Sequence, residues 1–354
     1  KILVTVASGY VGGRLVPRLL ADRHTVRASF SDPAKASRLW WHDDDDVEVV
    51  EMDVLDVDEV RRAVEGVDAA YYLIHGMGGD DFAAKDRQSA ANLARAAADA
   101  GVSRIVYLSG LVPNVPEAEL SEHISSRLEV ERILTASGVT TISLRAAVVV
   151  GAGSTSFEII RQISERLPVT TVPDWMRSIV QPIAITDVIE ALVGALTVDT
   201  GSRSYDVGGP ERMPYPDLLK VYAETADLRR PQVNIPGLPT DLVGTLAGLI
   251  TDVPSSTVEA LVESLHHDMV CRENDFTIDL MPSDHEFVGL RESFRRALAK
   301  PSGRSINPAT LDPIGPMPHD PSWSGGSGGG MASLIAGATA VVTGTLGALG
   351  KDSS

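Results

Sequence analysis

Cysteine and lysine are the two residue types that this 354-residue chain nearly lacks. Cys271 is the sole cysteine, which excludes an intrachain disulfide and a cysteine-based zinc site, and no metal site is expected. Only six lysines are present, so 25 of the 31 basic residues are arginine. No charged segment followed by a long apolar stretch opens the sequence, so we expect a cytoplasmic protein without a signal peptide.

Positive charge is scarce as well. The net charge of -17 argues against direct contact with nucleic acid, because phosphate binding needs clustered lysine and arginine. The acidic surplus, the rarity of lysine and the four aspartates at 43–46 suggest a halophile-like protein, since molar salt would screen its self-repulsion. A moderately acidic protein encoded by a GC-rich genome fits the same composition.

Strand and helix patterns alternate over the first 150 residues. Apolar or alternating segments such as ILVTV, HTVRASF, VEVVEMD, DAAYYLIH, RIVYLSG and TTISLRAAVVV predict strands, and each is followed by a helical pattern or a turn. This order predicts an α/β fold with a doubly wound, mostly parallel sheet of the Rossmann type, with helices on both faces.

The pattern changes after residue 150. Residues 151–300 predict short strands and amphipathic helices, which we expect to form a smaller C-terminal lobe over the carboxyl edge of the sheet. Residues 301–330 are rich in proline, glycine and serine and indicate a linker. The apolar tail at 331–354 contains an uncharged stretch, 331–350, about long enough to cross a bilayer. Membrane contact, a disordered tail and a helix packed on a neighbour remain open for it.

The stretch TVASGYVGG lies where the first strand meets the first helix. A helix start offers free N–H groups and a positive dipole end, and small residues let a pyrophosphate approach closely. Gly9 and Gly12 are spaced as the last two glycines of a GxxGxxG turn, but Val6 stands at the first position. We expect the Val6 side chain to crowd this turn.

Several segments carry a family resemblance when taken in order. TVASGYVGGRLVPRLL, GVDAAYYLIHGMGG, GVSRIVYLSGL, ELSEHISSRLEVERIL, LRAAVVVGAGSTSFEII and YDVGGPE resemble the NmrA-like, atypical short-chain dehydrogenase/reductase families, which are related to NAD-dependent epimerases and dehydratases. The resemblance covers about residues 1–300 and implies one NAD(P)-binding domain, with a Rossmann core at about 1–150.

The resemblance also implies positions for the dinucleotide at four strand ends. The pyrophosphate would lie along Ser8, Gly9, Tyr10, Val11 and Gly12, the adenine at Asp53 and Val54, the adenosine ribose at Ile74, His75 and Gly76, and the nicotinamide at Leu108, Ser109 and Gly110. Two alternatives stay open, because Asp53 can serve as a turn cap and His75 can offer its backbone alone.

The end of the second strand bears on the choice between NAD and NADP. An acidic residue there would bind the ribose 2′-hydroxyl of NAD, and this chain has Ser29, Phe30 and Ser31 instead. Relatives carry an arginine at the position of Ser31, where it would bind the 2′-phosphate of NADP. That arginine is missing, but Lys35 follows one helical turn later, which favours NADP(H) over NAD(H).

The family's catalytic motif is altered. Working members carry a serine and then YxxxK on the following helix, whereas this chain has Ser109 and then His123-x-x-x-Arg127. One interpretation makes His123 a proton donor, with Arg127 lowering its pKa and Ser109 orienting a carbonyl oxygen. The other makes this a helix that lost its catalytic pair while the domain still binds the dinucleotide.

Two functions therefore remain open from the sequence. The first is a reductase or isomerase acting on an apolar carbonyl or quinone-like substrate. The second is a non-catalytic dinucleotide-binding protein, such as a redox sensor or an assembly scaffold, with a protein partner that the sequence does not identify.

Overall fold

The computed structural model describes residues 1–76, 81–237, 239–300 and 307–325, and residues 1–324 form one compact unit. The strands are β1 (Ile2–Val4), β2 (Val26–Phe30), β3 (Val47–Glu51), β4 (Ala69–Tyr72), β5 (Arg104–Gly110), β6 (Thr140–Ala146), β7 (Val149–Val150), β8 (Thr170–Val172), β9 (Ile179–Val180), β10 (Ile183–Ala184), β11 (Arg203–Val207), β12 (Met213–Pro214) and β13 (Gln232–Asn234). The helices are α1 (Gly12–Ala21), α2 (Val57–Val64), α3 (Phe82–Asp99), α4 (Glu122–Thr135), α5 (Thr155–Arg166), α6 (Ile185–Gly194), α7 (Tyr215–Thr225), α8 (Thr240–Ile250), α9 (Ser255–Ser264), α10 (Phe276–Asp279) and α11 (Leu290–Ala297).

Seven strands form a single parallel sheet in the order β11-β6-β5-β4-β1-β2-β3. Every residue of β1, β2 and β4 is buried, as expected for strands covered on both faces. Leu3 and Val4 belong to different buried clusters, because successive side chains point to opposite faces. The predicted doubly wound sheet is confirmed, and its strand order reverses between β1 and β4, where open sheets of this kind bind ligands.

Two of the helices beside the sheet, α2 and α3, are each followed by a glycine in the left-handed conformation. Gly66, two residues after α2, and Gly101, two residues after α3, have φ angles of +68° and +72°. Glycine adopts this left-handed conformation without a steric penalty from a Cβ atom. Both turns return the chain to the sheet for the next parallel strand.

The second half of the chain builds small sheets and helices around an aromatic cluster. The rings of Phe157, Tyr222 and Phe294 pack at centroid distances of 5.4 to 6.0 Å, which joins α5, α7 and α11. Residues 1–324 nevertheless cluster as one unit, so the division into a core at 1–150 and a lobe at 151–300 stays a prediction.

Residues 307–324, called the C-terminal strap below, pack on the rest of the unit. Ile314 is fully buried, and its carbonyl accepts a hydrogen bond of 2.8 Å from the backbone N–H of Ala152. Gln162 donates to the carbonyl of Trp323 at 2.9 Å, and Arg296 forms an ion pair with Asp312 at 2.6 Å. The linker interpretation therefore does not hold for the strap.

The apolar tail at 331–354, with its candidate membrane stretch, lies outside the described residues. Among the helices that the structure does describe, none is long and apolar enough to cross a membrane.

Candidate active site

The turn between β1 and α1 has the close packing that a phosphate-binding turn requires. The carbonyl of Val6 accepts a hydrogen bond of 2.8 Å from the N–H of Gly9. A Cβ atom at Gly12 would lie 2.6 Å from that same carbonyl oxygen, so only glycine fits there. Val6 itself has a φ angle of +51°, a conformation that costs a residue with a Cβ atom about 1–2 kcal/mol. Its side chain remains 39% exposed and lines the cleft described below.

Arg14 anchors this turn to the C-terminal strap. Its side chain is fully buried and pairs with Asp320 at 2.8 Å, and it also donates to the carbonyls of Pro313 and Ala152, each at 2.8 Å. The guanidinium lies 4.1 Å from the centre of the Tyr10 ring. Sequence reasoning missed Arg14, although an arginine in the first turn of an otherwise apolar helix is a usable signal.

A cavity of about 260 Å³ opens at the carboxyl ends of β1, β4, β5 and β6. The predicted site residues that line it are Gly9, Tyr10, Val11, Gly12, His75, Leu108, Ser109, Gly110, His123 and Arg127. The other predicted residues lie outside this lining, namely Ser8, Ser31, Lys35, Asp53, Val54, Ile74 and Gly76. The cavity therefore joins the phosphate turn to the altered catalytic motif.

The residues predicted for the adenosine end lie at the ends of β2 and β3. Lys35 donates to the hydroxyl of Ser31 at 3.2 Å, so these two exposed side chains face one position. Asp53 caps a turn, because its carboxylate accepts from the N–H of Leu55 at 2.9 Å. Asn92 donates to the carbonyl of Val54 at 3.0 Å.

Beyond β4, the backbone is fixed by a buried carboxylate. The N–H of Gly76 donates to Asp86 at 2.8 Å, and the hydroxyl of Ser126 donates to the other carboxylate oxygen at 3.2 Å. Burial raises the pKa of Asp86, while these two donors oppose the rise. This bond ties the end of β4 to α3 and α4.

Two polar side chains at the opposite end of the cavity make no hydrogen bond with the described residues. Ser109, at the end of β5, is 2% exposed, and its hydroxyl makes no hydrogen bond of normal geometry with the described residues, although it interacts with the Tyr107 hydroxyl and lowers the pKa of that group. His123, in the first turn of α4, is 5% exposed and packs near the ring of Phe82 at 6.4 Å between centroids. Buried polar groups are nearly always hydrogen-bonded in folded proteins, so these two are available to a ligand.

The surroundings of His123 and His75 determine the charge of both side chains. Burial, then the neighbouring Arg127 and then His75 lower the pKa of His123 to about 3. The expectation that Arg127 lowers this pKa is confirmed in direction, with burial as the larger cause. Desolvation in the cleft and repulsion from Arg127 also lower the pKa of His75, although that side chain faces the open cavity. His123 is therefore neutral at neutral pH.

Apolar side chains from the second half of the chain close the cavity. Leu261, Val262 and Leu265 come from α9 and the residue after it, and Met269 follows on the next turn. The sequence shows α9 as an amphipathic helix, but no local pattern reveals that its apolar face covers a site at the sheet edge.

The comparison with known families agrees with this geometry. Residues 7–173 match the family model described as NAD(P)H-binding. These residues form an NAD(P)H-binding domain, as the resemblance to the NmrA-like, atypical short-chain dehydrogenase/reductases implies. The chain thus places a phosphate turn that fits this resemblance and a His-Arg pair that departs from it in the same cleft.

Similarity to curated proteins is local. A stretch of 120 residues is 35% identical to the 3 beta-hydroxysteroid dehydrogenase/Delta 5→4-isomerase of Mycobacterium tuberculosis and covers 31% of each protein. The chain thus spans about a third of the length of this curated relative.

Similarity to solved structures extends over most of the chain and shows the shared fold. The triphenylmethane reductase of Citrobacter sp., complexed with NADP(H), is 19% identical with a TM-score of 0.65, over 84% of this chain and 100% of that one. The NADPH-dependent quinone oxidoreductase QOR2 of Escherichia coli is 18% identical with a TM-score of 0.66, over 83% and 98% of the two chains.

Proposed function

We propose that the chain is an atypical short-chain dehydrogenase/reductase that acts as an NAD(P)H-dependent reductase of an apolar, conjugated acceptor, with quinone-like carbonyl compounds as the model substrates. The observation that carries this proposal is the single cavity running from the phosphate turn to the unpartnered hydroxyl of Ser109. The similarity in fold to a quinone oxidoreductase and a dye reductase supports the same class of acceptor.

The turn residues fit a dinucleotide. Gly12 leaves no room for a Cβ atom beside the Val6 carbonyl, and α1 begins at the turn with its free N–H groups. Gly9, Tyr10 and Val11 would hold the pyrophosphate, and Leu108 would flank the nicotinamide. A bound reduced dinucleotide supplies the hydride in this proposal.

Ser109 and His123 would orient the acceptor. The Ser109 hydroxyl donates to the acceptor oxygen, and the neutral His123 ring offers a second N–H from the first turn of α4. Arg127 lies one turn further along α4 and contributes positive charge toward an oxygen that gains negative charge. The apolar side chains of Leu108 and Val149 give a flat conjugated ring its walls.

The lack of a proton donor in the site favours acceptors that need no proton during hydride transfer. A neutral imidazole is a poor proton donor, and the tyrosine that serves working family members is missing. A quinone that accepts a hydride leaves as a resonance-stabilised hydroquinone anion, which solvent can protonate after release. A simple aldehyde forms a far more basic alkoxide and needs an acid at the moment of transfer.

For the dinucleotide, we propose a preference for NADP(H). The ammonium group of Lys35 and the hydroxyl of Ser31 lie 3.2 Å apart at the end of β2, where a ribose 2′-phosphate would sit. Asp32, the nearest acidic residue, uses its side chain to accept from the N–H of Ala34 and caps the following turn.

The test is consumption of NADPH and NADH by purified protein with three panels of acceptors: neutral quinones, enones and aldehydes. We expect oxidation of NADPH with quinones and little or none with aldehydes. If fluorescence titration shows that the dinucleotide binds while no acceptor in any panel is reduced, the reductase proposal is wrong.

A second candidate is a dinucleotide-binding sensor or scaffold without catalysis. It is favoured by the replacement of tyrosine and lysine by His123 and Arg127, and by Val6 in the phosphate turn. Under this proposal a protein partner binds differently with and without dinucleotide. A set of co-purifying proteins that does not change when NADPH is added counts against it.

Membrane contact through residues 331–350 stays a prediction. Fractionation of the full chain beside a chain that ends at Ser324 would test it. Equal recovery of both in the membrane-free fraction contradicts membrane contact through the tail.

A further inference from the structure

A second, larger cavity of about 670 Å³ adjoins the first. The two share His123, Ile124, Ser264 and Met269 in their linings, so the larger one leads directly to the hydride-transfer end of the cleft. Its walls are the turn before α4, the start of that helix, and the facing surfaces of α8 and α9. This second cavity is called the vestibule below.

The charges of the vestibule have one sign. The carboxylates of Glu119, Glu122, Glu259 and Glu263 line it, and within the described residues no lysine or arginine does. His266 and His267 are the other titratable side chains of the lining besides His123. A cleft lined by charges of one sign concentrates ligands of the opposite sign.

The four vestibule carboxylates form no ion pair with the described residues. Glu117 and Glu129, close to the vestibule in sequence, are paired with Arg132 and Arg87 at 2.6 Å. Glu259 and Glu263 also lie one turn apart on α9, where like charges destabilise a helix. The vestibule wall therefore carries four uncompensated negative charges.

His123 provides an independent indication of a ligand at the junction of the two cavities. It lines both, it is 95% buried, and its ring makes no hydrogen bond with the part of the chain that the structure describes. A neutral ring at this junction adds no positive charge against an entering cation.

We propose that the vestibule admits a delocalised organic cation, such as a conjugated iminium or triaryl carbocation, as the preferred hydride acceptor. This inference rests on the proposed reductase function and defines the charge of its substrate. The electrophilic carbon of the acceptor gains hydrogen with both bonding electrons, so one C–H bond forms and the acceptor becomes neutral. The reduced dinucleotide loses that hydride and is oxidised.

The chemistry of the acceptor fits the missing proton donor and the acidic entrance, although Arg127, which lines the inner cavity and not the vestibule, opposes a cation near the reacting carbon. A cation that receives a hydride needs no proton, so the missing tyrosine imposes no loss of rate. Its positive charge is attracted by the unpaired carboxylates at the entrance, and the neutral product is released from that attraction. Anionic acceptors, including acyl-CoA thioesters and sugar nucleotides, would be repelled at the same entrance.

The experiment uses the full chain with NADPH and three acceptors: the cationic dye malachite green, its sulfonated anionic analogue light green SF, and a neutral quinone. Loss of dye colour reports hydride addition directly. The double variant Glu259→Gln/Glu263→Gln removes two vestibule charges, and Asp284→Asn/Glu286→Gln removes two charges from an exposed loop as the matched control. Each protein is assayed in dilute buffer and in molar salt.

We expect the wild type to bleach the cationic dye and to leave the anionic one coloured. In dilute buffer the vestibule variant should lower kcat/KM for malachite green, relative to that for the quinone, by about fivefold, as two exposed charges near the ligand imply. Molar salt should abolish that difference because it screens the charges. The loop variant should show no such change in ratio.

Four results overturn the inference. Equal reduction of the cationic and anionic dyes, or an unchanged dye-to-quinone ratio in the vestibule variant, excludes charge selection at the vestibule. Reduction of the quinone without any bleaching of malachite green excludes the cationic acceptor but leaves the reductase function intact. The absence of turnover with all three acceptors, with NADPH bound, overturns both proposals together.

Discussion

Arg14 at one end of the cleft and the pair Ser109 and His123 at the other are buried polar side chains that differ in their hydrogen bonding. At the phosphate turn, Arg14 is fully buried and its guanidinium is held by Asp320 and by backbone carbonyls. At the other end, Ser109 and His123 are equally buried and make no hydrogen bond with the described residues. A satisfied buried group fixes a scaffold, whereas an unsatisfied one keeps its hydrogen-bonding capacity for a ligand at a cost in stability.

The largest effect on this difference is expected when Arg14 loses its ion-pair partner. Asp320→Asn leaves a buried guanidinium without a counter-charge, which destabilises a fold by about 3–5 kcal/mol. We expect that loss in the free energy of unfolding measured by urea titration. We also expect weaker dinucleotide binding, because Arg14 connects the strap to the helix that begins at the phosphate turn.

The control removes one partner of an exposed pair. Glu224→Gln breaks the contact with Arg291, whose side chain is 59% exposed, and should leave the unfolding curve in place. Similar unfolding midpoints for the two variants would show that the strap is dispensable for stability.

Removal of the Ser109 hydroxyl tests the end of the cleft that holds the altered catalytic motif. Ser109→Ala removes a buried group that has no partner, so stability should stay the same or rise slightly. Turnover of a quinone acceptor should fall about 100-fold, as expected when one preorganised donor to a developing oxyanion is lost. Acceptor kinetics and thermal unfolding on the same preparation measure both.

Ser126→Ala is the matched control for that prediction. Its hydroxyl is equally buried but donates to Asp86 at 3.2 Å, so its loss should destabilise the protein by about 1–2 kcal/mol. If Ser109→Ala is instead the more destabilising of the two, the Ser109 hydroxyl has a structural partner and is not reserved for a ligand.

The same contrast explains what the sequence could predict. Strand and helix alternation, the glycines of the turn and the family-like segments are local in the chain, and they predicted the parallel sheet and the residues Gly9, Gly12, Ser109 and His123 that line the cavity. The spacing of four between His123 and Arg127 was enough to anticipate the direction of the pKa shift, because one helical turn brings the two side chains together.

Long-range contacts were not predictable in this way. The strap has the composition of a linker, but Ile314 is buried through a contact with Ala152, and the ion pair of Asp320 with Arg14 joins residues 306 positions apart in the chain. The vestibule likewise forms where α9 meets the start of α4, and no local pattern reports that Glu259 and Glu122 face one space. Composition gives the average polarity of a segment. The buried strap and the vestibule depend instead on contacts between a few side chains that are distant in the chain.

The low pKa of His123 also predicts how the free energy of unfolding depends on pH. Its pKa is 6.5 in the unfolded chain and about 3 in the folded protein, so folding favours the neutral ring. Its contribution to stability is therefore complete above pH 6.5 and is lost as the pH falls toward 3. In His123→Leu, the free energy of unfolding should decline less steeply between about pH 6 and pH 4, by about 1.4 kcal/mol per pH unit. Parallel curves for variant and wild type would show that the ring does not titrate this way.

Val6 places backbone strain in the phosphate turn, at the end of the cleft where Arg14 is held. Val6→Gly relieves a valine at a φ angle of +51° and should stabilise the protein by about 1 kcal/mol after the added flexibility of the unfolded chain is counted. It should also tighten dinucleotide binding several-fold, because the valine side chain lines the cavity. Arg23→Gly is the control, since Arg23 has a φ angle of +63° but lies outside the cavity lining, so it should gain stability without a change in binding.

The smallest effect is expected at the adenosine edge, where the contacts are exposed. Lys35→Met removes the ammonium group beside Ser31 and should weaken NADPH binding about threefold while NADH binding is unchanged, because only NADPH carries a 2′-phosphate. Fluorescence titration with both dinucleotides measures this, and the difference should vanish in molar salt. An equal loss of affinity for NADH and NADPH would mean that Lys35 supports the turn after β2 and does not bind the 2′-phosphate.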